Sequence, residues 1–321
     1  MRTRLIAGLG VSLLILVLLG APWFAALPVR AQSGAQGPTI GANPAPTAEQ
    51  IQSLISRAVG NQHRDDLALQ EFERDEHVIT RKPEDKSVVL TDRTDRVMPS
   101  GTGVMKLPLT ENGVAVSPEL YRKQLQFAVT AIDLEIHPNE HYKADLAKFE
   151  KRQRERSDLV DAAYKAFRMK WAGRETRPDP SAPNGSHTLA KFLLDPDPNY
   201  VPASRFAAAF QHAHATLWVD ESQAQFARLE GDITSDITFV GGIAGKIYRG
   251  SHFVLEQAEV APGVWLPTLY TYDVDGRKFL FGFGVHERTE ITRYRRLGPP
   301  TQAIEIIRAE LSNLSAGSPA R

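Results

Sequence analysis

The sequence predicts an α+β fold built on an antiparallel β-sheet with one apolar and one wet face. Three observations predict it. Between Arg205 and Leu297, strand-length segments alternate apolar and polar residues with a period of two, and turn residues separate them. From Ser117 to Trp171, and again from Thr301 to Leu314, apolar residues recur at helical spacing instead. Formal charge is balanced, 38 basic against 38 acidic residues, and cysteine is absent. The balance argues against a nucleic-acid partner. The missing thiols exclude disulfides, thiolate metal sites, a thiol nucleophile and a lipid-modified N-terminal Cys.

Taken in order, the chain opens with Arg2 and Arg4, a charge-free run from Leu5 to Leu27, and Val29-Arg30-Ala31. A basic start, an apolar stretch and small residues at −3 and −1 describe a secretory signal peptide over residues 1–31. The run is long enough to span a bilayer, so an uncleaved N-terminal membrane anchor is the rival; Gly20 and Pro22 favour the signal. Either reading exports the chain, and the expected location is the periplasm. Residues 32–46, rich in Gly, Ala, Pro, Ser and Gln, predict a flexible linker.

Thr47 and Gln50 have capping-box spacing, and Ile51, Leu54, Ile55 and Val59 form a helical stripe that Gly60-Asn61 is placed to end. Strands are expected over 67–81, 87–98 and 103–109. Ser117-Pro118-Glu119 starts a helix whose stripe is Tyr121, Leu125, Ala128, Ile132 and Ile136. Pro138 interrupts it, and Leu159, Ala163, Phe167 and Trp171 resume the pattern, so helix is expected to about residue 172 with a loop over 174–186. In the strand region, Ala215, Leu217 and Val219 share one face, then Ala227, Leu229 and Ile233. Phe253 and Leu255, then Leu266, Tyr270 and Tyr272, then Phe279, Phe281 and Phe283 continue it. Asp220 suits the first position of a type I turn.

Chemical motifs are weak. His137-Pro138-Asn139-Glu140-His141 matches an inverted zinc-peptidase signature, but a residue before proline leaves the helical region, so the two imidazoles lose the spacing a metal needs. His212 and His214 lie on a strand face opposite Leu217 and lack an evident third ligand. Gly241-Gly242-Ile243-Ala244-Gly245-Lys246 fails as a phosphate loop, because Val240 replaces the first glycine and Ile247 the hydroxyl residue. No catalytic constellation, metal site or cofactor is expected.

The segments Thr216-Leu217-Trp218-Val219-Asp220, Ala227-Arg228-Leu229-Glu230-Gly231-Asp232-Ile233, Gly241-Gly242-Ile243-Ala244, Tyr248-Arg249-Gly250-Ser251 and Gly263-Val264-Trp265-Leu266-Pro267 occur in that order. This pattern, over the C-terminal third, resembles the LolA-like outer-membrane lipoprotein-sorting proteins. The resemblance implies a curved half-barrel over residues 47–297 with helices covering its concave face, a helical insertion at about 117–172, and a C-terminal helix and tail over 298–321. It further implies an exported, non-enzymatic carrier that holds lipid or lipoprotein acyl chains between sheet and helices, with an envelope transport partner. The expected lining is Leu217, Val219, Leu229, Phe253, Leu255, Leu266, Tyr270, Phe279, Phe281 and Phe283. A cell-envelope scaffold and a metal-dependent hydrolase are the alternatives.

Overall fold

The computed structural model describes residues 45–179, 185–239, 245–278 and 281–315. The expected signal peptide, nearly all of the linker, the residues 240–244 and Phe279 lie outside the described residues, as does the side chain of Phe281. Among the described residues no helix is long and apolar enough to cross a membrane.

In chain order the elements are α1 (Ala48–Ala68), β1 (Phe72–Arg81), β2 (Val89–Pro99), β3 (Val104–Glu111), β4 (Val114–Ala115), α2 (Pro118–Ile136) and α3 (Glu140–Ala166). Then come β5 (Phe167–Pro178), β6 (Ser186–Pro196), β7 (Ala213–Asp220), β8 (Gln225–Ile233), β9 (Ile237–Phe239) and β10 (Gly245–Ile247). β11 (His252–Ala261), β12 (Val264–Lys278), β13 (Phe281–Arg296) and α4 (Pro300–Ser315) complete the chain. The strands form one curved, unclosed antiparallel sheet in the order β4-β3-β2-β1-β13-β12-β11-β8-β7-β6-β5, with β9 and β10 branching from β12. The fold is α+β.

The route of the chain follows from that order. It enters the sheet at β1, walks outward to β4, crosses through α2 and α3 to the far edge at β5, and returns strand by strand until β13 pairs with β1. Residues 118–166 therefore connect the two edges of the sheet. At 1.5 Å per residue the 27 residues of α3 span about 40 Å, enough for such a crossing.

Local chemistry sets the helix ends. The Thr47 hydroxyl accepts from the Gln50 amide, and the Gln50 side chain accepts from the Thr47 amide, closing the capping box. Ser117 and Asn139 cap α2 and α3 in the same manner, and the break between them falls at Pro138. α1 does not stop at Gly60-Asn61. The Asn61 amide donates instead to the carbonyls of Gln223 and Ala224 in the β7–β8 turn, and this tertiary contact outweighs the roughly 1 kcal/mol that an internal glycine costs. The expected strand at 67–81 accordingly starts only at Phe72. The expected helix to residue 172 is also corrected. Phe167, Met169 and Trp171 alternate along strand β5, and Trp171 meets Phe192 edge-on at 5.6 Å. β6, absent from the sequence reading, is their partner.

Register assigns each strand residue to one of two faces. On the first face, Leu217, Leu229, Leu255 and Tyr270 lie opposite one another across β7, β8, β11 and β12. On the second, His214, Asp232, His252, Asp273 and His286 form an alternating row across β7 to β13. His214 bonds Asp195 at 2.7 Å, His252 bonds Asp232 at 2.9 Å, and His286 contacts Asp273. Helices occupy both faces. Ile55 and Ala58 of α1 pack on Phe192, Leu194, Leu217 and Val219 of the first. Leu125, Ala128 and Ile132 of α2, with Ile304 and Ile307 of α4, pack on Met98 and Leu107 of the second.

Two β-bulges correct the predicted faces. A register shift at Val219 pairs it with Phe226, so Phe226 takes the inner position and Ala227 packs with Leu189, Trp218 and Trp265 instead of beside Leu229. A second shift, between Glu256 and Gln257, sets Pro267 opposite Gln257 and puts Leu266 out of phase with Tyr270.

A candidate apolar binding cavity

Between α1, α3 and the first face of the sheet lies a cavity of about 190 Å³. The sheet contributes Leu217, Leu229, Phe253, Leu255 and Tyr270 of the expected lining. The other expected residues lie elsewhere. Val219 is buried under α1, and Leu266 is buried out of phase with Tyr270. Phe283 packs over Gly276 beside Val274 and Val285, and Phe279 and the Phe281 side chain are outside the described residues.

The remaining walls come from residues the sequence reading did not assign to a site. Ile55 and Val59 descend from α1, and Leu159, Ala163 and Tyr164 from α3. Phe167 and Met169 of β5 close one side, and Phe210, from the turn before β7, another. The period-two spacing of Phe167, Met169 and Trp171 was the available signal. The helical stripe running into it concealed that alternation.

Polar groups are confined to a few positions. Arg156 of α3 makes a bidentate pair with Asp66 of α1, with Nε donating at 2.7 Å to Oδ2. The Gln62 amide donates to Asp66 at 2.9 Å, and the Gln257 amide donates to Gln62 at 2.9 Å. Burial disfavours the phenolate of Tyr270 and raises its pKa, leaving a neutral hydroxyl. Next to Asp66, Asp65 is buried and accepts from the Trp265 backbone amide; burial pushes its carboxyl up to about 6.

A Ser-His-Asp arrangement also joins α1 to α3. His63 bonds Asp161 at 2.9 Å through Nε2 and Ser157 at 3.2 Å through Nδ1. Ser157 sits inside a regular helix, where neighbouring backbone N–H groups are committed to intrahelical bonds. The trio ties α1 to α3 through side-chain hydrogen bonds.

The histidines of the peptidase-like signature do not converge. His137 caps the end of α2 and faces Asp133, while His141 in the first turn of α3 faces Asp145, both largely exposed. His212 bonds Ser235, away from the His214–Asp195 pair. Among the described residues no three His, Asp or Glu groups are placed to hold a metal ion.

No family model, no curated protein and no solved structure matches the chain.

Proposed function

We propose that the protein is an exported, non-catalytic carrier that holds a hydrocarbon chain between its sheet and the helices α1 and α3. One observation carries the reading: a cavity of about 190 Å³ walled by Leu, Ile, Val, Phe, Ala and Met side chains from three layers of the chain. An empty apolar cavity of about 150 Å³ suffices to hold benzene, so a short alkyl segment fits the site as it stands. Each methylene taken from water adds about 0.8 kcal/mol. A longer acyl chain requires α1 or α3 to shift. The charge-free run from Leu5 to Leu27 supports export, and the resemblance to lipoprotein-sorting proteins supports a lipid or lipoprotein as the cargo.

Native mass spectrometry of the protein isolated from its own cell envelope tests this. A co-purifying alkyl-chain molecule, lost when Leu229→Trp fills the cavity, is the expected result. Protein that carries no such molecule and binds no neutral naphthyl probe would defeat the proposal.

A further inference from the structure

We infer that the guest of this cavity is a single-chain amphiphile whose polar group is uncharged, an alcohol or an ester, and that the Tyr270 hydroxyl is its hydrogen-bond partner. The inference rests on the carrier reading and narrows it.

Charge compensation at the cavity selects against an ionic guest. The guanidinium beside the cavity is Arg156, and Asp66 already faces it with both carboxylate oxygens. These two side chains are only 14% and 13% exposed, so little solvent enters between them. An incoming carboxylate or phosphate would meet Asp66 along with Arg156, and a cation would meet Arg156 along with Asp66. Neither sign finds an uncompensated partner, and a desolvated ion without one is strongly disfavoured. The Gln62 and Gln257 amides are committed to Asp66 and to each other. Arg228, also at the cavity, is held by Glu230 and Glu256.

Tyr270 differs from all of these. It is 4% exposed, it lines the cavity, and its hydroxyl has no hydrogen-bond partner among the described residues. It lies within electrostatic reach of two opposed pairs, Arg156 with Asp66 and Arg74 with Glu76, so it marks the polar end of the chamber without facing a net charge. A phenol both donates and accepts, which suits a hydroxyl or an ester carbonyl. A buried hydroxyl without a partner favours whatever ligand satisfies it.

The test is displacement of N-phenyl-1-naphthylamine from the full chain at pH 8 by four ten-carbon compounds: decanol, methyl decanoate, decanoate and decyltrimethylammonium. Decanol and methyl decanoate are expected to displace the probe at concentrations at least about ten-fold lower than either ion. Tyr270→Phe should weaken decanol by about three- to ten-fold, the worth of one neutral hydrogen bond. Asp66→Asn, which removes the negative charge facing Arg156, should move the preference toward decanoate. Decanoate displacing the probe as well as decanol does from the unsubstituted protein would overturn the inference while leaving the carrier reading intact. So would Tyr270→Phe leaving decanol and methyl decanoate unchanged. Failure of the probe and all four compounds to bind would overturn both.

Discussion

The two helix-on-sheet contacts of this protein, on opposite faces, treat their polar groups differently. Under α2 and α4 the buried charges sit inside the contact. Arg96 donates to Glu73 at 2.8 Å, to the Tyr121 hydroxyl at 2.8 Å and to both oxygens of Glu310. Burial alone would raise the Glu73 carboxyl, but Arg96 and Arg295 hold it below its ordinary value; burial, with Glu310 beside it, pushes the Tyr121 phenol up to about 12. Under α1 and α3 the walls are hydrocarbon, and the Arg156–Asp66 pair ties one helix to the other. The first contact is cross-braced through the sheet. The second is hollow, and its ionic links run between helices.

The largest effect should come from the braced contact. Arg96→Met removes the cation shared by Glu73, Tyr121 and Glu310, leaving Glu73 to Arg295, and is expected to cost about 3–5 kcal/mol in urea unfolding. A cost below about 1 kcal/mol would show that the network is ornamental and erase the contrast. Next is Asp65, beside the hollow contact. Its folded pKa, about 6, exceeds the ordinary 3.8, so the folded state loses stability as pH rises through that interval. Asp65→Asn should therefore stabilise the protein at pH 7 by about 1–3 kcal/mol, with the gain vanishing below about pH 4. Unfolding curves at the two pH values decide it. The smallest effect makes the sharpest comparison. Ala128→Leu, in the filled contact, should cost about 1–3 kcal/mol. Ala215→Leu, whose added methylenes enter the void, should cost less than about 1 kcal/mol and yet abolish probe binding. Equal costs would mean the two contacts are packed alike.

Much of this was legible in the residues. Thr47-Gln50, Ser117-Pro118 and Pro138 state their own local physics, and each helix begins or breaks where they say. The inward face of Leu217, Leu229 and Leu255 follows from alternation, and their pairing across strands comes from the register. What failed did so for nameable reasons. Gly60 reads as a stop until Asn61 finds the carbonyls of a distant turn. Phe167 fits both a four-residue and a two-residue spacing, and only its pairing with Pro196 selects the strand. The bulges at Phe226–Ala227 and Pro267–Leu269 change parity in mid-strand, which no periodicity can announce. The Arg156–Asp66 pair, drawn from separate helices, depends wholly on tertiary arrangement.

The pairing of β1 with β13 has a consequence for how the molecule is made. Phe72 lies opposite Arg296, so β1 waits for a strand synthesised long after it. Until then β12 has β11 as its neighbour on one flank, and the flank that β13 takes stays open. A ribosome-bound or truncated chain lacking β13 holds two unjoined half-sheets, each with an open edge that invites aggregation. Contacts of such long sequence separation also make folding slow.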